Sequence, residues 1–208
     1  MNHRILILGS SEEFTELVKL ARSRGIFTIV CDGNPDGTAK KEADLACHTD
    51  VRSIDRIAAL CRKERVDGIL TAFSDLLLEC MVKIAAKAEL PCYLLPKQLS
   101  FYRDKSVMKK MFAALGIPTS RYAETDAACS PDAFAGLRFP VVTKPLDRYG
   151  SRGVLVLDSP EEIRSRFHEI CAGSGTEKIL VEEYNTGFEF NLMAWVSSGQ
   201  VYILGIAD

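Results

Sequence analysis

A lysine followed by a glycine turn is the feature whose residue types and spacing best suit phosphate chemistry. Residues 139–143 read as a short apolar strand with Lys144 at its end, and Gly150 and Gly153 follow in a turn. Glycine lets the backbone approach a ligand closely and turn its N–H groups toward phosphate oxygens. A lysine beside such a turn adds a point charge for the same oxygens. Taken alone, this stretch fits a phosphate loop and a plain β-hairpin equally well.

Acidic residues gather after a later apolar strand. Glu182 and Glu183 end the run 179–183, and Asn185 and Glu189 follow them. Carboxylates suit ribose hydroxyls, which donate hydrogen bonds, and an adenine can be read by main-chain groups between apolar walls. Taken alone, this segment reads as a solvated acidic turn, so the order of the features along the chain carries more weight than any one of them.

The composition is typical of a globular protein and argues against binding to nucleic acid and against a membrane-spanning segment. The chain has 208 residues and a net charge of -2, and its lysines and arginines are scattered, which argues against a nucleic-acid partner. No apolar run approaches the roughly 20 residues of a membrane span, and the chain begins with a strand and not with a signal peptide. We therefore expect a cytoplasmic protein.

The cysteines are expected to be reduced core residues. Their number, 7, is odd, and they form no Cys-x-x-Cys pair. Cys47 stands next to His48, but a second pair of ligands at zinc-site spacing is missing. We therefore favour a structural role for both residues.

Strands and helices alternate over the first 95 residues, which predicts a parallel, doubly wound sheet. Ser10 with Glu13 fits a capping box for the first helix. Ser74 and Asp75 precede the third helix, where capping is favoured over contact with a substrate. The predicted strands are 4–8, 27–31, 45–49, 68–72 and 91–94, and the second and third helices are 54–63 and 76–88.

From residue 95 the pattern changes to a smaller α+β unit. A helical segment opens at Pro96, and another helix follows residues 104–106. Residues 122–136 read as a loop with a short helix, and a hairpin turns at residues 197–199. The remaining predicted elements are strands 139–143, 154–157 and 179–183, a helix over 160–171, and hairpin strands 188–196 and 200–206.

The order of these features resembles the ATP-grasp superfamily, which includes biotin carboxylase, the carbamoyl phosphate synthetase large chain and D-alanine:D-alanine ligase. The resemblance covers essentially the whole chain, with residues 104–119 similar to the first lysine motif and 144–154 similar to the phosphate loop. It implies an α/β fold with an N-terminal parallel doubly wound sheet, a small α+β ATP-grasp subdomain and the start of a central antiparallel sheet. The expected divisions are 1–95, linking helices over 96–122, 123–183 and 184–208.

The resemblance also assigns roles to residues. Lys105 and Lys144 are expected to contact ATP phosphates, under a mobile lid formed by the backbone of the phosphate loop. Main-chain groups of the segment after the last strand of the α+β unit are expected to read adenine, and two glutamates to lie near the purine and ribose. The lid residues are Gly150, Ser151, Arg152 and Gly153; the adenine segment includes Glu183, Tyr184 and Asn185; the glutamates are Glu182 and Glu189.

The implied reaction activates a small carboxylate with ATP as an acyl phosphate, which an amine or similar nucleophile then attacks. The family holds Mg²⁺ with residues on later strands, so these ligands are expected beyond Asp208, and the isolated chain is expected to bind ATP weakly and not to catalyse. A homodimer is compatible with the sequence.

Two other functions are weighed against this one. An NAD-dependent oxidoreductase would use Gly9 and Asp32, but Ser11 and Phe14 stand where the dinucleotide fingerprint requires glycines. A non-catalytic nucleotide-binding or assembly module stays open, and the length of the native reading frame would distinguish it from a ligase.

Overall fold

The computed structural model describes residues 3–148 and 150–208, and it divides the chain into two compact units. The first unit ends at Met108 and the second begins at Lys109.

The first unit is built from four parallel strands with helices between them. The sheet has the order β3-β2-β1-β4, and every neighbouring pair is parallel. The doubly wound sheet predicted from the alternating pattern is therefore confirmed. The elements are β1 (Arg4–Leu8), α1 (Glu13–Ser23), β2 (Phe27–Asp32), β3 (Leu45–His48), α2 (Ile54–Lys63), β4 (Gly68–Thr71) and α3 (Asp75–Ala88).

Alternation along β1 gives this unit a core on each face of the sheet. Leu6 and Leu8 pack among side chains of α2 and α3 on one face, while Ile7 packs with Phe14 and Val18 of α1 on the other. A strand whose successive side chains are all apolar can be buried on both sides in this way.

The capping box predicted for α1 is wrong. The helix begins at Glu13, two residues later than a cap at Ser10 requires; its cap residue is Glu12, and no side chain caps it. Ser10 is instead buried, and its carbonyl accepts the N–H of Ala39. The prediction for α3 is confirmed, because the Ser74 hydroxyl accepts the N–H of Leu77 at 3.4 Å.

The strand predicted over residues 91–94 does not form. Pro91 offers no N–H to a neighbouring strand, and the segment has no ladder in the structure. The chain passes instead into a 3₁₀ turn (Pro96–Gln98) and two helices, α4 (Leu99–Arg103) and α5 (Lys105–Ala114). The N-terminus of α5 is capped by Asp104, whose Oδ1 accepts the N–H groups of Ser106 at 2.8 Å and Val107 at 3.1 Å.

The second unit contains an antiparallel sheet of order β5-β8-β6-β7, with α6 on one face. Residues 122–125, which the sequence analysis placed in a loop, form the edge strand β5. The strand predicted over 139–143 is shifted, so Lys144 lies inside it. The elements are β5 (Tyr122–Thr125), a 3₁₀ turn (Pro131–Phe134), β6 (Val141–Pro145), β7 (Leu155–Leu157), α6 (Pro160–Cys171) and β8 (Ile179–Glu183).

The chain ends in an antiparallel hairpin of β9 (Asn191–Ser197) and β10 (Gln200–Ala207). The hairpin was predicted, although β9 begins three residues later than expected. Large apolar side chains are exposed on both of its faces, including Trp195 and Val196 on β9. These two strands therefore bury little apolar surface in this chain.

Four of the seven cysteines are buried, as the sequence suggested, whereas Cys47, Cys92 and Cys171 are partly exposed. All seven are free thiols, and Cys31, Cys61 and Cys80 are buried in the first unit. Burial raises the pKa of the Cys61 thiol to about 11, which disfavours the thiolate.

Within residues 3–148 and 150–208, no helix is long and apolar enough to cross a membrane.

Candidate functional site

One face of the antiparallel sheet carries the charged side chains of the candidate site. Val141 of β6 and Val181 of β8 point toward α6 and join its core. Since side chains alternate along a strand, Lys144 and Glu182 lie on the opposite face. The register pairs Val142 with Glu182, which places Lys144 two residues along β6 from that pair. A long side chain reaches such a diagonal neighbour.

Glu182 is held between two lysines. Its Oε2 lies 2.7 Å from Nζ of Lys144, and its Oε1 lies 2.6 Å from Nζ of Lys109 on α5. The side chains of Lys109 and Glu182 are 5% and 10% exposed, whereas that of Lys144 is 31% exposed. We call these three residues the Lys–Glu–Lys triad.

Neutral groups complete the surroundings of Lys109. Its ammonium donates to the Thr119 hydroxyl and lies 5.3 Å from the centre of the Tyr122 ring. Tyr122 of β5 is the register partner of Glu182, so it stands on the same face of the sheet. The Tyr122 ring thus adds a cation–π attraction to the contacts of the Lys109 ammonium.

The two lysines control the ionisation of Glu182. Burial raises the pKa of this carboxyl group. The hydrogen bonds and positive charges of Lys109 and Lys144 together lower it by more than burial raises it, so the net pKa lies below the ordinary value. Glu182 is therefore a carboxylate at neutral pH, and the triad carries one negative and two positive charges.

Lys109 was not predicted from the sequence. Lys105, one turn earlier on the same helix, was predicted instead because Asp104-Lys105 matches the lysine motif. Lys109 stands beside Lys110, which is exposed, and nothing in the pattern distinguishes the two. Lys105 belongs to the first unit and Lys144 to the second, and their joint contact with one ligand stays a prediction.

The predicted phosphate loop has the backbone expected of a glycine turn. Gly150, Ser151 and Gly153 have φ values of 68°, 56° and 74°. A Cβ on Gly153 would overlap the carbonyl oxygen of Ile170, whereas Gly150 faces open space. Arg152 is exposed. Tyr149, which belongs to the same motif, lies outside the described residues.

Two main-chain N–H groups of the predicted adenine segment already form hydrogen bonds within the protein. The N–H of Glu183 donates to the Arg121 carbonyl at 3.0 Å, and that of Tyr184 donates to the Pro140 carbonyl at 3.1 Å. The Glu183 carboxylate binds Arg138, with 3.0 Å between Oε2 and Nη2. These N–H groups are therefore not available to a base in this conformation.

The rest of the segment is exposed. The Asn185 side-chain oxygen accepts the N–H of Gly187 at 2.9 Å, which folds the chain back after β8. Glu189 lies beyond this turn and is exposed. Among Glu182, Glu183 and Glu189, it is Glu182 whose carboxylate contacts Lys144.

Residues of metal-binding type are not grouped in the part of the chain that the structure describes. No three of its His, Cys, Asp or Glu residues are arranged to hold an ion. His48 Nδ1 lies 3.0 Å from Nζ of the buried Lys40. The described residues therefore contain no preformed cluster of three such side chains for Mg²⁺.

Comparison with known proteins gives the same fold. Residues 103–208 match the family model described as phosphoribosylglycinamide synthetase, ATP-grasp (A) domain. The crystal structure of phosphoribosylglycinamide synthetase from Anaerococcus prevotii superposes with a TM-score of 0.74 at 25% identity, covering 99% of this chain and 51% of that one. An L-amino acid ligase from Bacillus licheniformis superposes with a TM-score of 0.77 at 18% identity, covering 99% and 50%.

Curated relatives match over nearly the whole chain. A formate-dependent phosphoribosylglycinamide formyltransferase of Methylococcus capsulatus is 26% identical over 96% of this chain and 52% of its own length. A phosphoribosylamine–glycine ligase of Lactococcus lactis is 26% identical over 99% of this chain and 50% of its own length. The chain thus spans about half the length of the curated relatives it matches.

Proposed function

Because this chain belongs to the phosphoribosylglycinamide synthetase ATP-grasp (A) domain family, we propose that it is the ATP-binding part of an ATP-dependent ligase. The observation that carries the proposal is the Lys144 side chain, which is 31% exposed on the sheet face opposite α6, with the glycine turn of residues 150–153 a few residues further along the chain. Lys144 would bind phosphate oxygens, and the exposed loop backbone would close over them.

The proposed reaction is the one that the resemblance to ATP-grasp ligases implies. A carboxylate oxygen of the substrate attacks the γ-phosphorus of ATP, ADP leaves, and an acyl phosphate forms. An amine then attacks the carbonyl carbon, and phosphate leaves. The names of the two curated relatives point to glycine and formate, so we propose a small carboxylate of that class as substrate.

The remaining assignments rest on the same family membership. Lys105 would contact phosphates from the first unit, and Glu189 would bind the ribose. Residues 1–95 would serve as the preceding α/β domain, and residues 123–183 as the small ATP-grasp subdomain. Mg²⁺ binding belongs to the whole enzyme and involves ligands outside the described residues. A cytoplasmic location and a likeness to carbamoyl phosphate synthetase are part of the same proposal.

Nucleotide binding by this chain tests the proposal. We would titrate ¹⁵N-labelled protein with ATP and follow backbone amide shifts, because NMR also detects weak binding. Loss of one charge-assisted hydrogen bond costs about 1.5–3 kcal/mol, so Lys144→Met should weaken binding about tenfold to a hundredfold.

Lys178→Met is the matched control, because Lys178 is an exposed lysine of the same unit, just before β8. It should leave ATP binding unchanged. Absence of ATP binding by the unsubstituted chain, or equal effects of the two substitutions, would contradict the proposal.

A further inference from the structure

Lys109 is a buried lysine that the proposed reaction does not use. Its side chain is 5% exposed, and it lies against a carboxylate, a hydroxyl group and an aromatic ring. Lysine is almost never buried without a partner, because removing an ammonium from water is costly. Its position therefore depends on Glu182, the one charged group that it meets among the described residues.

The triad leaves one positive charge uncompensated. The single carboxylate of Glu182 divides its two oxygens between Lys109 and Lys144. Lys109 has little access to solvent, so the surplus charge is presented to a ligand at Lys144. Within the described ranges, Glu182 is the hydrogen-bond partner of the Lys144 ammonium, which has three N–H donors. Donors on Lys144 thus remain for an anion.

We propose that Lys109 is a positioning residue for nucleotide phosphates and acts through Glu182. The inference rests on the proposed function, in which Lys144 binds those phosphates. Lys109 occupies one oxygen of the carboxylate and offsets its charge. Without Lys109, the full charge of Glu182 would face Lys144 and cancel its attraction for an anion. A helix residue that touches no ligand would then set the affinity of the site.

Removing Lys109 should weaken ATP binding, and removing the charge of Glu182 as well should restore it. We expect Lys109→Met to weaken ATP binding about tenfold, within the range of coupling measured between contacting residues. In Lys109→Met/Glu182→Gln the neutral amide no longer cancels Lys144, so ATP affinity should return to within about threefold of the original. A merely structural role for Lys109 predicts instead that the loss of ATP affinity in Lys109→Met is accompanied by a loss of folded protein, which circular dichroism of the same variant detects.

Two controls accompany these variants. Lys110→Met removes the exposed lysine next to Lys109 on α5 and should leave ATP affinity unchanged. In a Lys144→Met background, Lys109→Met should weaken ATP binding less than it does alone, because the residue through which it acts is gone. All variants would be measured in the whole chain by the same NMR titration, after circular dichroism confirms folding.

The outcomes separate this inference from the proposed function. If the unsubstituted chain does not bind ATP, both are wrong. If it binds ATP but Lys109→Met has no effect, or weakens binding additively with Lys144→Met, only the role of Lys109 is wrong. If Lys109→Met does not fold, the test rests on Lys109→Met/Glu182→Gln, which should fold because it has no unpaired buried carboxylate. An ATP affinity of this double variant near that of the original chain supports the inference, and a tenfold loss overturns it.

Discussion

Replacing Glu182 by glutamine should destabilise the second unit far more than replacing its neighbour Glu183. Both carboxylates are 10% exposed and ion-paired, but Lys109 beside Glu182 is 5% exposed while Arg138 beside Glu183 is 86% exposed. Each substitution removes one negative charge and keeps the shape of the side chain. The two variants therefore differ mainly in how well water solvates the cation that is left without its partner.

The expected magnitude follows from that difference. Glutamine at 182 leaves the Lys109 ammonium buried with only the Thr119 hydroxyl and the Tyr122 ring. Removing one partner of a buried ion pair costs about 3–5 kcal/mol. Loss of the contact to Lys144 adds little, because water already reaches a side chain that is 31% exposed. Glutamine at 183 leaves the Arg138 guanidinium without its ion-pair partner, but water solvates that group, so the loss of stability should be much smaller.

Urea unfolding at neutral pH, followed by far-UV circular dichroism, measures both effects. With a typical slope of about 2 kcal/mol per molar urea, Glu182→Gln should lower the midpoint by about 2 M. The Glu183→Gln midpoint should stay close to that of the original chain. Equal shifts for the two variants, or a loss below about 1 kcal/mol for Glu182→Gln, would refute the burial of the triad as described.

Three further outcomes are expected. Because the pKa of Glu182 is lowered in the folded protein, its contribution to stability is complete above the ordinary pKa of about 4.3 and is progressively lost as pH falls through the lowered pKa. Below that pH, the free energy of unfolding of Glu182→Gln should therefore fall less steeply than that of the original chain. Gly150→Ala should cost about 1–2 kcal/mol for its left-handed backbone, and Gly153→Ala should cost more in urea unfolding because its Cβ meets the Ile170 carbonyl. Trp195 is 55% exposed, so its fluorescence should resemble that of tryptophan in water and be quenched readily by acrylamide; a blue-shifted, protected emission would contradict the exposed hairpin.

The fold was predictable where local signals and tertiary packing agree. Helix α6 has Ser159 before Pro160, and the Ser159 hydroxyl does accept the N–H of Glu162 at 3.2 Å. Ser10 gives a similar signal for α1, yet it is buried and its main chain bonds to Ala39. A tertiary contact thus replaced the local cap, and the sequence carries no mark of that contact.

The candidate site was predictable only in part, for a related reason. Lys144 and Glu182 stand on strands, where alternation and register decide which side chains share a face. Lys109 stands on a helix, and whether a helical lysine meets the sheet depends on how the helix packs. Its neighbour Lys110 is exposed although the residue type is the same, so residue type and helical position could not distinguish the two.

The net positive charge of the Lys–Glu–Lys triad is the property that we expect to favour phosphate binding. A lone Lys144–Glu182 pair across two strands would be electrically neutral and would offer little to a polyphosphate. Burial of Lys109 against the second carboxylate oxygen makes the group cationic, and the exposure of the three side chains places that surplus charge at Lys144. Because Lys109 is held by Thr119 and Tyr122 as well as by Glu182, the surplus charge is fixed by these side-chain contacts and does not depend on the conformation of the glycine loop. The attraction for phosphate should therefore precede any closure of the loop over a nucleotide.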